Sequence, residues 1–254
     1  MAYIFRKVAV MAALSQEVQP FLRQVGARRL RGGSVAGWEF AFEGKEGLVA
    51  VSGMGAEAAR QAVSLLFRDY PPEILISLGF GGAVTPAVPA GALVLGEVFW
   101  RYEPDTGELG EVATPLFPAA PGDLVQKLKA RGLPALVGNI VTTPVIIPKA
   151  GQGGALHHLA CPVLDLETAA LAQAARERNL PFLGLRAVTD AAGEEIPAFL
   201  CQAVPEGHPP TLGGALSWLW ADIRRLPVLL RLWRRSHLAA RRLSQALMVV
   251  LAEL

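Results

Sequence analysis

Cysteine is nearly absent: Cys161 and Cys201 are the two thiols in 254 residues. So few, at no zinc-like or redox spacing, exclude a disulfide scaffold or a cysteine-based metal site, although one bridge between them stays open. Two isolated thiols fit a reducing cytoplasm. Histidine is also scarce, with four copies; the adjacent His157 and His158 read as surface residues rather than ligands, and no metal or other cofactor is expected. Charge of either sign is thin. Lys and Arg number 24 against 22 acidic residues, a net charge of +2, so nothing in the balance asks for a nucleic-acid partner. Charged residues make up 18% of the chain, below the roughly 25% of average soluble proteins. Yet no window offers the ~18 uninterrupted apolar residues of a membrane span. The opening "MAYIFRKVAVMAAL" resembles a signal peptide only superficially, because Arg6 and Lys7 interrupt it and "ALSQEV" runs on into a helical pattern.

What the chain has instead is 52% hydrophobic residues, arranged in short runs. "KVAVMAAL", "GLVAVSGM", "EILISLGF", "ALVLGEVFW", "ALVGNIVTT" and "PFLGLRAVT" are continuous rather than alternating, and helical patterns such as "SQEVQPFLRQVG" and "GAEAARQAVSLLFRDY" stand between them. Runs of that kind predict strands buried on both faces, hence a three-layer αβα fold with a mixed, twisted central sheet flanked by helices. "WEFAFEGKEGLVAVSG" predicts a hairpin turning at Gly44–Gly47. Residues 1–205 form one α/β domain in this reading. The Pro/Gly-rich "CQAVPEGHPPTLGG" then leads into a helical extension, 206–254, expected as two helices broken near Pro227 and packed on the domain. Its arginines (Arg224, Arg225, Arg231, Arg234, Arg235, Arg241, Arg242) alternate with Trp218, Trp220, Trp233 and leucines. Such a stretch suits solvent-facing helices, and it also suits peripheral contact with anionic headgroups.

Ligands of open α/β sheets bind beyond the carboxyl ends of the strands. Four segments place informative residues there. Glu17 lies in the first turn of a helix after the first strand, where a carboxylate also complements the helix dipole. "SGMG" (52–55), with Met54, turns from strand to helix. "SLGFGGAV" (77–84) carries Gly79, Gly81 and Gly82, glycines that allow close backbone approach to a ligand, with Phe80 between them; neither glycine turn has a dinucleotide or phosphate-loop spacing. "DLETAALAQAARERN" is expected to carry Asp165 and Glu167 in the first turn of a helix, and "PFLGLRAVTD" ends on Asp190. A lone aspartate there is commonly a helix cap. Several carboxylates sent to one sheet edge point to a site.

In their order these segments resemble the nucleoside phosphorylase and nucleosidase superfamily, most closely its methylthioadenosine/S-adenosylhomocysteine nucleosidases, over most of residues 6–200. That family usually has methionine in place of Leu166 and reads Ile-Ser in place of Val188-Thr189. The resemblance implies a purine nucleoside phosphorylase-like fold, a homodimer, and an adenine nucleoside as substrate. It implies Asp190 as the acid that protonates the leaving purine at N7, Glu17 as the carboxylate positioning the attacking water, and Glu167 as acceptor for the ribose hydroxyls. Leu166 would pack on the sugar, and Ile146 and Ile147 would line the base pocket, with Ile146 standing where an aromatic ring often stacks. Such an acid contributes roughly 10²–10⁴-fold in rate, and a mostly apolar surround is expected to keep Asp190 protonated. Ser77 and Phe80 occupy the positions where the related phosphorylases hold phosphate with arginine and serine, which favours water as the nucleophile over phosphate. The tail resembles that of hopanoid-associated members, implying adenosylhopane-like substrates. A small nucleoside such as methylthioadenosine or a futalosine-like compound, and a binding module that keeps the fold without catalysis, are the other readings.

Overall fold

The computed structural model describes residues 5–30, 36–112, 117–149, 156–194 and 226–254. The elements run β1 (Lys7–Ala12), α1 (Ser15–Gln24), β2 (Arg28–Arg29), β3 (Ala36–Phe42), β4 (Lys45–Val51), α2 (Ala56–Asp69), β5 (Ile74–Ala83), β6 (Leu93–Glu103) and β7 (Glu108–Glu111). They continue with α3 (Pro121–Ala130), β8 (Ala135–Thr142), β9 (Pro162–Asp165), α4 (Thr168–Glu177), β10 (Phe182–Asp190) and α5 (Leu226–Ala252). The expected mixed sheet, covered on both faces by helices, is what forms. β1 runs parallel to β4 and β5, and β10 is parallel to β5 but antiparallel to β6. One face packs Val8, Val10, Ile74, Ile76 and Leu183 against α1, α3 and α5. The other packs Ala9, Met11, Leu75 and Phe182 against α2 and α4. Adjacent residues of one strand thus serve opposite cores, which is why these strands are apolar at every position.

The long β5 organises the site. Through Ser77 it is flanked by β1 on one side and β10 on the other. β1 then ends, and β9 takes its side at Gly82 and Ala83. Because β9 pairs β8, β8 pairs β6 and β6 pairs β10, the strands β5, β10, β6, β8 and β9 close into a ring. The carboxyl ends of β1, β4 and β10 and the end of β9 converge where β1 and β9 part.

Two expectations need correction. The hairpin does not turn over Gly44–Gly47: β3 and β4 are joined by Glu43 and Gly44 alone, both at positive φ (49° and 72°), the conformation of a tight two-residue turn. Gly47 instead sits inside β4 opposite Phe40, whose ring occupies the space a Cβ would take. Asp165 and Glu167 do not lie in the first helical turn. A strand of four residues, β9, ends on Asp165, and Glu167 is the residue preceding α4. Of the two expected C-terminal helices, the second is α5, which begins at Leu226 beside Pro227, as a proline in a first turn allows. The first falls in 195–225, outside the described residues, as do Cys201, Trp218 and Trp220. α5 inserts Ala239, Leu243, Leu247, Val250 and Leu251 into the same core as β5 and β10. No helix among the described residues is long and apolar enough to cross a membrane.

Candidate active site

Glu17, Met54, Phe80, Gly81, Ile146, Ile147, Leu166, Glu167 and Asp190 all line one cavity of about 210 Å³ at the convergence of strand ends. Gly79 does not. A Cβ there would come within 3.0 Å of Glu17 Oε1, so this glycine leaves room for the carboxylate rather than for a ligand.

Glu17 is 3% exposed and held at both oxygens. Oε2 accepts the Leu14 N–H at 2.8 Å, the reach-back bond of a helix start, and Oε1 accepts the Phe80 N–H at 2.8 Å from β5. It therefore caps α1 and faces the cavity at once. Burial raises its pKa above the usual carboxylate range, while the two N–H bonds and the Arg186 charge act against that rise. Glu167 Oε1 accepts the Gly55 N–H at 2.7 Å, which ties the start of α4 to the glycine turn before α2. Burial first, and the charge of Asp165 second, push Glu167 up to about 8. That shift favours the protonated carboxyl at neutral pH.

Behind these two lies Arg186, the lone charge inside β10, 2% exposed. Its Nε and Nη2 donate to Asp165 Oδ2 at 2.9 and 2.7 Å, and Nη2 also donates to Ser77 Oγ at 2.7 Å and to the Thr168 hydroxyl. Asp165 Oδ1 accepts from Thr142 Oγ1 at 2.6 Å, and its Oδ2 also takes the Thr168 N–H at 3.1 Å. One guanidinium thus ties the middle of β5, the end of β9 and the start of α4 to β10, and Asp165 links β8 to it through Thr142. Sequence reading assigned Arg186 no role, although a single arginine in an apolar strand was the available signal. It also missed Lys149, whose ammonium pairs with Asp190 Oδ2. The surround of Asp190 is therefore ionic rather than apolar. Lys149 follows β8 in an irregular segment, where no periodicity marks a buried residue. Among the described residues no group of His, Cys, Asp or Glu could hold a metal ion, and Cys161 is a free thiol.

The raised Glu167 predicts a pH dependence of stability. Unfolded, this carboxyl titrates near 4.5; folded, near 8. Between those values the native chain keeps a proton that the unfolded chain has lost, so this stabilisation is complete below about pH 4.5 and disappears as pH rises to about 8. Glu167→Gln keeps an acceptor for Gly55 and cannot ionise. Urea unfolding at pH 5 and pH 8 should show the wild type losing on the order of a few kcal/mol more than the variant. Parallel losses in the two proteins would contradict the assignment.

The family model described as "Phosphorylase superfamily" matches residues 7–206. A 5′-methylthioadenosine/S-adenosylhomocysteine nucleosidase of Geobacillus kaustophilus is 32% identical over 209 residues, 74% of this chain and 86% of the relative. One of Lysinibacillus sphaericus is 26% identical over 74% of this chain and 88% of the relative. Among solved structures, the nucleosidase of that type from Campylobacter jejuni superposes with a TM-score of 0.73 at 17% identity, covering 98% of this chain and all (100%) of the other. The futalosine hydrolase of Helicobacter pylori gives 0.72 at 13% identity, with 98% of each chain covered. At those identities the structures speak for the fold.

Proposed function

Since this chain belongs to the phosphorylase superfamily, we propose that it is a purine nucleosidase, hydrolysing the N-glycosidic bond of an adenine nucleoside with release of adenine. The observation that carries this is the convergence of Glu17, Glu167 and Asp190, from three separate strand ends, on one buried cavity. Heterolysis of the bond leaves positive charge on the sugar and negative charge on the base. Asp190, at one end, delivers a proton to purine N7. Glu17, with its basicity raised by burial, orients a water and takes its proton as the water adds to C1′. Glu167, its protonated form favoured by burial, offers the ribose hydroxyls a donor as well as an acceptor. Around a single guanidinium stand Asp165, Glu17 and Glu167, a carboxylate-rich wall suited to a developing oxocarbenium ion.

Water rather than phosphate is the nucleophile in this reading. Arg186 and Lys149, the cations at the cavity among the described residues, are each held by a carboxylate. Ser77 is fully buried beneath Arg186, and Phe80 offers its backbone N–H to Glu17.

The 5′ substituent is proposed to be apolar, because Met54, Phe80, Ile146, Ile147, Leu164 and Leu166 form much of the wall. A bulky hopane-type lipid is the first reading. The exposed Trp233 and Leu238 of α5, beside the exposed Arg234 and Arg241, would face the membrane that supplies it, in a cytoplasmic homodimer. A methylthio group or a futalosine-like side chain is the second, favoured by the modest cavity and by the fact that no α5 residue is among the described residues that line it. Adenine release should be measured from adenosylhopane in vesicles and from methylthioadenosine and S-adenosylhomocysteine in solution, each with and without phosphate. The expected result is phosphate-independent release. Phosphate dependence would overturn hydrolysis, release from none would overturn the enzyme reading, and release from the small nucleosides alone would overturn the lipid.

A further inference from the structure

The hydrolysis described above is carried by carboxylates, yet a buried lysine sits directly on the acid. Lys149 and Asp190 have side chains 5% and 9% exposed. Besides Asp190 Oδ2, the Lys149 ammonium donates to Ala191 O at 2.8 Å and to Asp190 O at 3.4 Å. These three contacts lie at the end of β10 and the residue after it, so they aim the nitrogen at the carboxyl group. Asp190 Oδ1 in turn accepts the Thr189 hydroxyl at 2.8 Å. Both carboxyl oxygens are acceptors, and the proton that the leaving base needs is on nitrogen. A Cβ at residue 82 would crowd both Asp190 Oδ2 and Lys149 Cε, so Gly82 is what allows the pair to form on β5.

We propose, resting on the nucleosidase reading, that Lys149 is a positioning residue which stores the proton that Asp190 hands to the departing base. In the step, an Nζ–H bond breaks and the proton passes to Asp190 Oδ2 and from there to N7. The C1′–N9 bond breaks at the same time and leaves its electron pair on the base. Lysine is then a neutral amine beside a carboxylate. Water bonds to C1′ and yields its proton to Glu17, and after product release that proton returns through solvent to Lys149. Before the step the pair as a whole is neutral, which limits the cost of its burial; once the proton is on N7 it carries one negative charge until Lys149 is reprotonated.

The charged groups that face the pair are Glu17, Asp165, Glu167 and Arg186 across the cavity, and Glu194 and Arg235 behind the loop after β10. Glu194 accepts the Ala191 N–H at 3.0 Å and pairs with Arg235 of α5. All remain in a Lys149 variant, so a change in pH profile reports the lysine.

The test is adenine release from methylthioadenosine between pH 5 and pH 9 by the wild type, Lys149→Met and Lys149→Arg. At pH 8 the methionine variant should lose roughly 10²–10⁴-fold in kcat, the worth of a general acid, with KM within about threefold. The loss should shrink as pH falls and solvent supplies the proton directly, so the basic limb moves to lower pH. The arginine variant should stay low at pH 8, because a guanidinium supplies charge without releasing a proton. Lys149→Gln, which preserves a donor to the carboxyl, serves if the methionine variant does not fold, and should follow the same profile. A variant within threefold of wild type at pH 8, an equal loss at every pH, or full activity with arginine would each overturn the proposal. Each of those leaves the wild type active and the nucleosidase reading intact. A wild type that releases no adenine overturns both.

Discussion

Asp190→Asn should reduce kcat for adenine release by roughly 10²–10⁴-fold, while calorimetry finds nucleoside affinity within a few-fold of the wild type. The two side chains have the same shape, and the amide oxygen can still accept from Lys149, so the walls of the cavity stay in place. What is removed is an oxygen that takes up and gives up a proton. A purine anion is a poor leaving group, and without that relay the base must depart unprotonated. Retained turnover would move the acid elsewhere, and lost binding would mean that Asp190 shapes the pocket rather than driving the chemistry.

The second large effect concerns stability. Arg186→Met should lower the unfolding free energy by about 3–5 kcal/mol, read from denaturant midpoints. The side chain is buried with its guanidinium on Asp165, Ser77 and Thr168. Methionine replaces its aliphatic stem, yet leaves Asp165 charged and buried with only the Thr142 and Thr168 donors. Arg186→Lys should fall between, because an ammonium cannot reproduce a forked contact. Combining Arg186→Met with Asp165→Asn should recover part of the loss, since the stranded charge is then gone. An unchanged midpoint in the single variant would show that Asp165 finds another partner or a proton.

Sequence made the sheet legible because its strands are buried on both faces, and continuous apolar runs between helical patterns have few other interpretations. It made part of the acidic cavity wall legible for a similar reason: Glu17 and Asp190 follow apolar runs that must end at the same sheet edge, whereas Glu167 was read from the helix start beside it. Length defeated it at β9. Four residues are too few to show a period, and the positive φ of Cys161 just before them gives no sequence warning. Glycine was misread at Gly47, where the residue makes room for Phe40 instead of turning the chain. The paired cations were hidden for a deeper reason. Lys149 and Arg186 are buried because other strands bring carboxylates to them, and those partners lie 41 and 21 positions away in the chain. A local pattern cannot announce a residue whose environment is wholly non-local.

The ring of β5, β10, β6, β8 and β9 has a consequence for traffic through the site. A seamless hoop has no lip that can be lifted, so the wall bearing Asp190 cannot swing away from the wall bearing Glu167 without breaking hydrogen bonds around the whole circumference. Met54, Ile146, Ile147 and Leu166 line the cavity from outside that ring. The chemistry is thereby held to one fixed gauge, while the rim is left free to vary with whatever cargo the ribose carries.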